Sequence, residues 1–130
     1  MPRAYTVATA AFALKTSAKW VDNALSHHRV AGVVQERQGV ARRLTLEALL
    51  ILALTLVFLR DSGSTLSHAI SLAQRLIASG GTITLSHGLK VELDLEAFKD
   101  HMLTNLEYAV EVAPLPRRGR PPANRTGRLE

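Results

Sequence analysis

The chain has no cysteine. That excludes a disulfide framework and any thiolate-bound metal, and it fits a reducing compartment. It also lacks an apolar run long enough to span a bilayer. The uncharged stretch from Ala48 to Leu59 is twelve residues, where a spanning helix needs roughly 20, so it reads as a buried core helix. The opening residues, MPRAYTVATAAFALK, do not run basic head, apolar stretch and cleavage site in order, so no secretory signal is expected. Catalytic signatures are missing as well. No Gly-rich phosphate loop, HExxH or nucleophile elbow occurs. Ser67-His68 and Ser86-His87 are neighbours in sequence, which is not the spatial arrangement of a Ser–His catalyst. The carboxylates Asp94, Glu96 and Asp100 read as solvated charge. The expectation is a protein that is not an enzyme and uses no cofactor.

What is present is one domain's worth of chain, 130 residues of which 47% are hydrophobic, with an uneven charge. Residues 1–44 carry seven Lys/Arg against two acids, residues 45–112 four against eight, and residues 113–130 five against one. A basic front and tail can neutralise phosphates and release counterions. The acidic middle would be repelled by a polyanion, so it is expected to face solvent or a partner.

The hydrophobic periodicity predicts five helices. Thr6 can cap a first short helix, VATAAFAL, with Val7, Ala10, Ala11 and Leu14 on one face. Ser17 can cap a second, AKWVDNALSHH, with Ala18, Val21, Ala24 and Leu25 as the buried stripe. Lys19, Trp20, Asn23, Ser26 and His27 fall on the other side. Two short helices joined by a tight turn make a helix-turn-helix pattern. The segment GVVQERQGVARRL then reads as a hairpin, with Gly39 able to take positive φ in the turn. A hairpin in that place is a wing. Arg42 and Arg43 should point to opposite faces of the return strand, at least one exposed and the other bracing the hairpin or gripping a phosphate.

These residues carry a resemblance. Tyr5-Thr6-Val7 leading the first helix, Leu14 closing it, Ser17 capping the second, Gly39 in the hairpin and RRLT entering a long apolar helix resemble the winged helix-turn-helix DNA-binding domain of MerR-type regulators, over roughly residues 5–60. The chain departs from that family at Asp22 and Asn23, where basic residues are usual, and at Ala24, where an aromatic often stands. The resemblance implies a dimer, with the second helix in a major groove and the wing on the backbone. It thus implies Lys19, Asn23 and the wing arginines as contacts. Chemically, Asn23 can pair bidentately with adenine and Lys19 can bond guanine or phosphate. Arg29, Arg37, Arg42 and Arg43 would position the backbone. Ser17 and His27 complete the expected DNA-facing set. Three roles are open to Trp20: covering the hairpin, stacking on sugar, or belonging to the core. His27 and His28 have no nearby carboxylate or thiol, so a surface or phosphate-facing role is preferred over a metal site.

Thr45 is expected to cap the third helix, with Glu47 in its first turn. That helix is apolar nearly all round, so it is either the hub of the monomer or partly a self-association surface. Ser64 or Thr65 caps a fourth helix with Leu66, Ala69, Ile70, Ala73, Leu76 and Ile77 on one face. A second hairpin follows, with Leu89, Val91, Leu93 and Leu95 alternating inward. Asp94 caps a last helix whose stripe is Leu95, Phe98, Met102, Leu106 and Ala109, a core face or half of a dimer contact. The fold class is thus mainly α with two small β-hairpins, a MerR-like winged helix-turn-helix followed by a helix–hairpin–helix extension. The expected divisions are 1–61, 62–112 and the tail 113–130.

The tail, APLPRRGRPPANRTGRLE, is rich in Pro, Gly and Arg with almost nothing to bury, and is expected to be disordered when free. Its centre, Arg117-Arg118-Gly119-Arg120-Pro121, resembles the AT-hook. Arg117, Arg118 and Arg120 would then enter a narrow minor groove or bind phosphates without specificity. The function expected from all this is sequence-specific binding of double-stranded DNA by a small cytoplasmic, nucleoid-associated transcriptional regulator, a homodimer, with no membrane partner. An antitoxin holding a toxin protein through its C-terminal half, and an architectural DNA-bending protein, are the alternatives. Deleting residues 114–130 should leave the thermal unfolding midpoint unchanged; a large drop would show a packed tail.

Overall fold

The computed structural model describes residues 3–35 and 39–112. Arg37 and the tail arginines Arg117, Arg118 and Arg120 lie outside the described residues. The chain runs β1 (Ala4–Thr6), α1 (Val7–Leu14), α2 (Ala18–His27), β2 (Val33–Val34), β3 (Arg43–Thr45), α3 (Leu46–Ser62), α4 (Leu66–Ala78), β4 (Thr82–Thr84), β5 (Lys90–Glu92) and α5 (Leu95–Val112). It is mainly helical with two small antiparallel sheets. No described helix is long and apolar enough to cross a membrane.

The caps form largely where the sequence predicts. Thr6 accepts from the Thr9 N–H, Ser17 from Trp20, Thr65 from His68 and Asp94 from Ala97. Thr45 stands at the cap position of α3 but makes no side-chain cap. Its hydroxyl donates to the Gly32 carbonyl at 2.9 Å instead, and its N–H donates to the same oxygen at 3.0 Å.

The front sheet has three strands, not the expected two-stranded hairpin. Its order is β1-β3-β2, with Tyr5 and Val33 both opposite Leu44, and Thr6 and Val34 both opposite Arg43. Alternation puts Tyr5, Leu44 and Val33 on the core face, and Leu44 is fully buried. The return strand is shorter than VARRL suggests, beginning only at Arg43. In the second sheet, Thr82–Thr84 pairs with Lys90–Glu92 around a 3₁₀ turn at Ser86–Gly88. There Leu89 is 60% exposed, against the expected inward alternation, because the strand starts one residue after it. Ala18 likewise is exposed at the first position of α2, before the helix reaches the core.

α3 is the hub. Ala48, Leu49, Leu50, Ile51 and Leu52 are all buried. Successive residues turn by about 100°, so five in a row sweep the whole circumference and the helix is enclosed there. α4 covers it most extensively, with α1, α5 and β3 closing other sides. Thr55 is the one fully buried polar side chain among the described residues, and its hydroxyl donates to the Ile51 carbonyl at 2.7 Å. The predicted stripe of α5 is spent inside the monomer: Met102, Leu106 and Ala109 are buried, and the helix packs on α1.

Gly32 joins the sheet to the hub. It has φ +88, and a Cβ there would lie 2.4 Å from Thr45 Oγ1 and 2.8 Å from the Ala48 nitrogen. Gly32→Ala should therefore cost about 2–4 kcal/mol, from positive-φ strain plus forced displacement of backbone. Gly39, at φ +91 with nothing within 4 Å of a built Cβ, should lose only about 1 kcal/mol on the same change. Denaturant unfolding of the two variants checks the difference.

Candidate nucleic-acid interface

α1 ends in a turn of Lys15, Thr16 and Ser17 before α2 begins. Lys15 closes α1 in the left-handed region, φ 59, with its N–H donating to Phe12 and that of Thr16 to Ala11. α2 buries Val21, Ala24 and Leu25. Lys19, Asp22, Asn23 and Ser26 are exposed at i, i+3, i+4 and i+7, one continuous solvent face. Ser17 is exposed, and its oxygen accepts from Trp20 N–H at 3.0 Å. Ser26 donates its hydroxyl to the Asp22 carbonyl at 2.8 Å. His27 is exposed, and its Nδ1–H donates to the Asn23 carbonyl at 2.9 Å. Trp20 is half-buried against the hydrophobic core. Of the three roles open to it, the geometry gives core packing.

The hairpin lies beside this helix. Arg42, just ahead of β3, places Nη1 4.0 Å from Asp22 Oδ1, with the two side chains 28% and 55% exposed. Arg43 is exposed on the outer face of the sheet, between Thr6 and Val34. The two arginines thus diverge, as alternation requires, and only Arg42 reaches α2. Between the end of α2 and the hairpin lies an open concavity of about 580 Å³. His27, His28, Arg29 and Arg42 line it together with Gln35, and among the described residues no carboxylate does. Arg43 does not line it. Gln35 ties the hairpin across its loop, donating to the Val40 carbonyl at 2.8 Å.

Sequence reasoning missed what holds this rim in place. Gln74, on α4, accepts from the Ala31 N–H and donates to the Arg29 carbonyl, both at 3.0 Å. One amide thus satisfies both backbone groups flanking the buried Val30. The available signal was a polar residue four positions after Ile70, on the edge of an otherwise apolar stripe. Asp22 was visible as a departure from the family pattern, but nothing in the sequence pairs it with Arg42. Among the described residues no three His, Asp or Glu side chains come together in a group that could hold a metal ion.

No family model, curated protein or solved structure matches this chain. The local geometry therefore carries the functional argument. Gln74→Ala should cost about 1 kcal/mol, since both bonds are solvent-accessible, and should speed amide exchange at Ala31 without altering α2. Hydrogen exchange resolved by residue checks this.

Proposed function

We propose that the N-terminal lobe is a winged helix-turn-helix that binds double-stranded DNA, with α2 in the major groove and the β2–β3 hairpin on the sugar–phosphate backbone. The observation that carries this reading is the approach of Arg42 to Asp22, which marks where the hairpin lies beside the exposed flank of α2. Lys19 and Asn23 are then free to meet base edges, while Arg29 and Arg42 form a cationic rim for phosphate, with His27 and His28 beside them as hydrogen-bonding groups. In this reading the protein is a MerR-like transcriptional regulator, and its front-loaded basic charge supplies the affinity common to all sequences.

The dimer that such a regulator needs would use α5. The enclosed half of α3 has no surface to offer. α5 exposes Leu103, Tyr108 and Val110, and Tyr108 lies 6.0 Å, centroid to centroid, from the ring of Phe12, itself 41% exposed.

Selection from random duplex DNA, followed by titration of the selected site across salt concentrations, tests the proposal. Replacing Arg42 and Arg43 together by Ala should weaken binding at all sequences alike and flatten the salt slope by about one to two units. Asp22→Asn should strengthen binding about three- to tenfold, by releasing Arg42 and removing a like charge from the phosphate-facing helix. Asn23→Ala should erase preference at a defined base position. Unchanged slopes and affinities in all three would count against the interface.

A further inference from the structure

α3 is enclosed along its first half but not along its second, where Ala53, Leu56, Val57, Phe58 and Leu59 are only half-buried. Beside that half, between the end of α1 and the middle of α5, lies a cleft of about 540 Å³. Its floor is apolar, built from Leu14, Leu56, Phe98 and Met102. Its rim carries Lys15, Arg60 and His101, and among the described residues no aspartate or glutamate lines it. The size falls in the range of small-molecule sites, roughly 300–1,000 Å³, and so does the pattern of an apolar body with a few polar groups.

Two details of the rim matter. Lys15 occupies a left-handed helix terminus, φ 59, where glycine sits without strain. A lysine there keeps a cation over the cleft at some conformational cost. Arg60 uses its Nε on Asp61 at 3.3 Å, which leaves the two terminal nitrogens for another acceptor. Asn105, also in the wall, donates its amide to the Ala13 carbonyl at 3.4 Å.

We propose that this cleft binds an amphipathic organic carboxylate, its hydrocarbon body against Leu56, Phe98 and Met102 and its carboxylate at the cationic rim of Lys15 and Arg60. A neutral apolar ligand would leave the rim unused. A cation would meet like charge.

The test is calorimetric titration of the full-length chain with decanoate below its micellar range. The expected result is saturable binding at one site per chain. Decanol should bind at least about tenfold more weakly. Lys15→Asn combined with Arg60→Gln should lower decanoate affinity at least about tenfold, with the unliganded melting temperature nearly unchanged, since both side chains are exposed and Asn tolerates the left-handed region. On the unmutated chain, decanoate should raise the melting temperature where decyltrimethylammonium does not. Non-saturable uptake overturns the proposal, as does equal affinity for decanol. Undiminished binding in the double variant overturns it too, because the tail arginines would then hold the carboxylate. An equal melting shift from the cationic amphiphile has the same force.

Discussion

A helix that is apolar around its whole circumference has to be wrapped, and α3 imposes that demand on the rest of the chain. Ala48 to Leu52 leave no azimuth for solvent. A single neighbouring helix covers only one side of such a surface, so several elements have to converge. α4 supplies the widest cover, while α1, α5 and β3 take other sides. The N-terminal and C-terminal parts of the chain are bound to one another through this shared object. α5 completes the wrap by lying on α1, ninety-odd residues away in sequence, with the Asn105–Ala13 bond marking the seam. Cover thins toward the C-terminal half of α3, and an apolar-floored cleft opens there.

The front sheet repeats one device twice. β1 runs straight into α1 through Thr6, and β3 runs straight into α3 through Thr45. The strands are antiparallel neighbours, with Ala4 opposite Thr45 and Thr6 opposite Arg43. The two helices therefore leave the sheet from opposite ends of one ladder. Thr6 spends its oxygen as a cap, whereas Thr45 spends its hydroxyl on Gly32. The difference follows from Gly32, whose backbone comes so close that no Cβ would fit. That contact ties β2 to the start of α3, and with it the loop that carries Arg42.

α1, α2, α4 and α5 were legible from a 3.6-residue stripe or an unmistakable cap, as Ser17 and Asp94 provide, and α3 from its long uncharged run. The second hairpin was legible from Val91 and its turn. β1 was not, because three residues are too few for a period-2 pattern to emerge, and Ala-Tyr-Thr becomes a strand only when Leu44 is there to pair with Tyr5. Thr45 misled for a related reason: a threonine before an apolar run signals a cap, but here the hydroxyl donates to the distant Gly32 carbonyl and accepts from no local N–H. Within the candidate interface, the exposure of Lys19 and Asn23 followed from helical phase alone. Trp20 did not, since an indole at the edge of the stripe can turn either way and its neighbours decide. The Gln74 clamp and the Asp22–Arg42 approach join residues far apart in sequence, which periodicity cannot reach.

The Asp22–Arg42 pair also bears on how the proposed interface would work. At 4.0 Å, with both side chains partly open to water, such a pair contributes less than about 1 kcal/mol. It cannot be what holds the hairpin in place; the row of Tyr5, Leu44 and Val33, with Leu44 fully buried, and the Gly32 contact do that. A weak pair is nevertheless an orienting one. It keeps the Arg42 guanidinium beside α2, at the mouth of a concavity with no carboxylate in its lining among the described residues. A phosphate entering that space competes with a carboxylate that is largely hydrated already, so the exchange costs little. The aspartate that looks out of place on a DNA-facing helix is, in this reading, a weak resting partner that Arg42 leaves when a phosphate arrives.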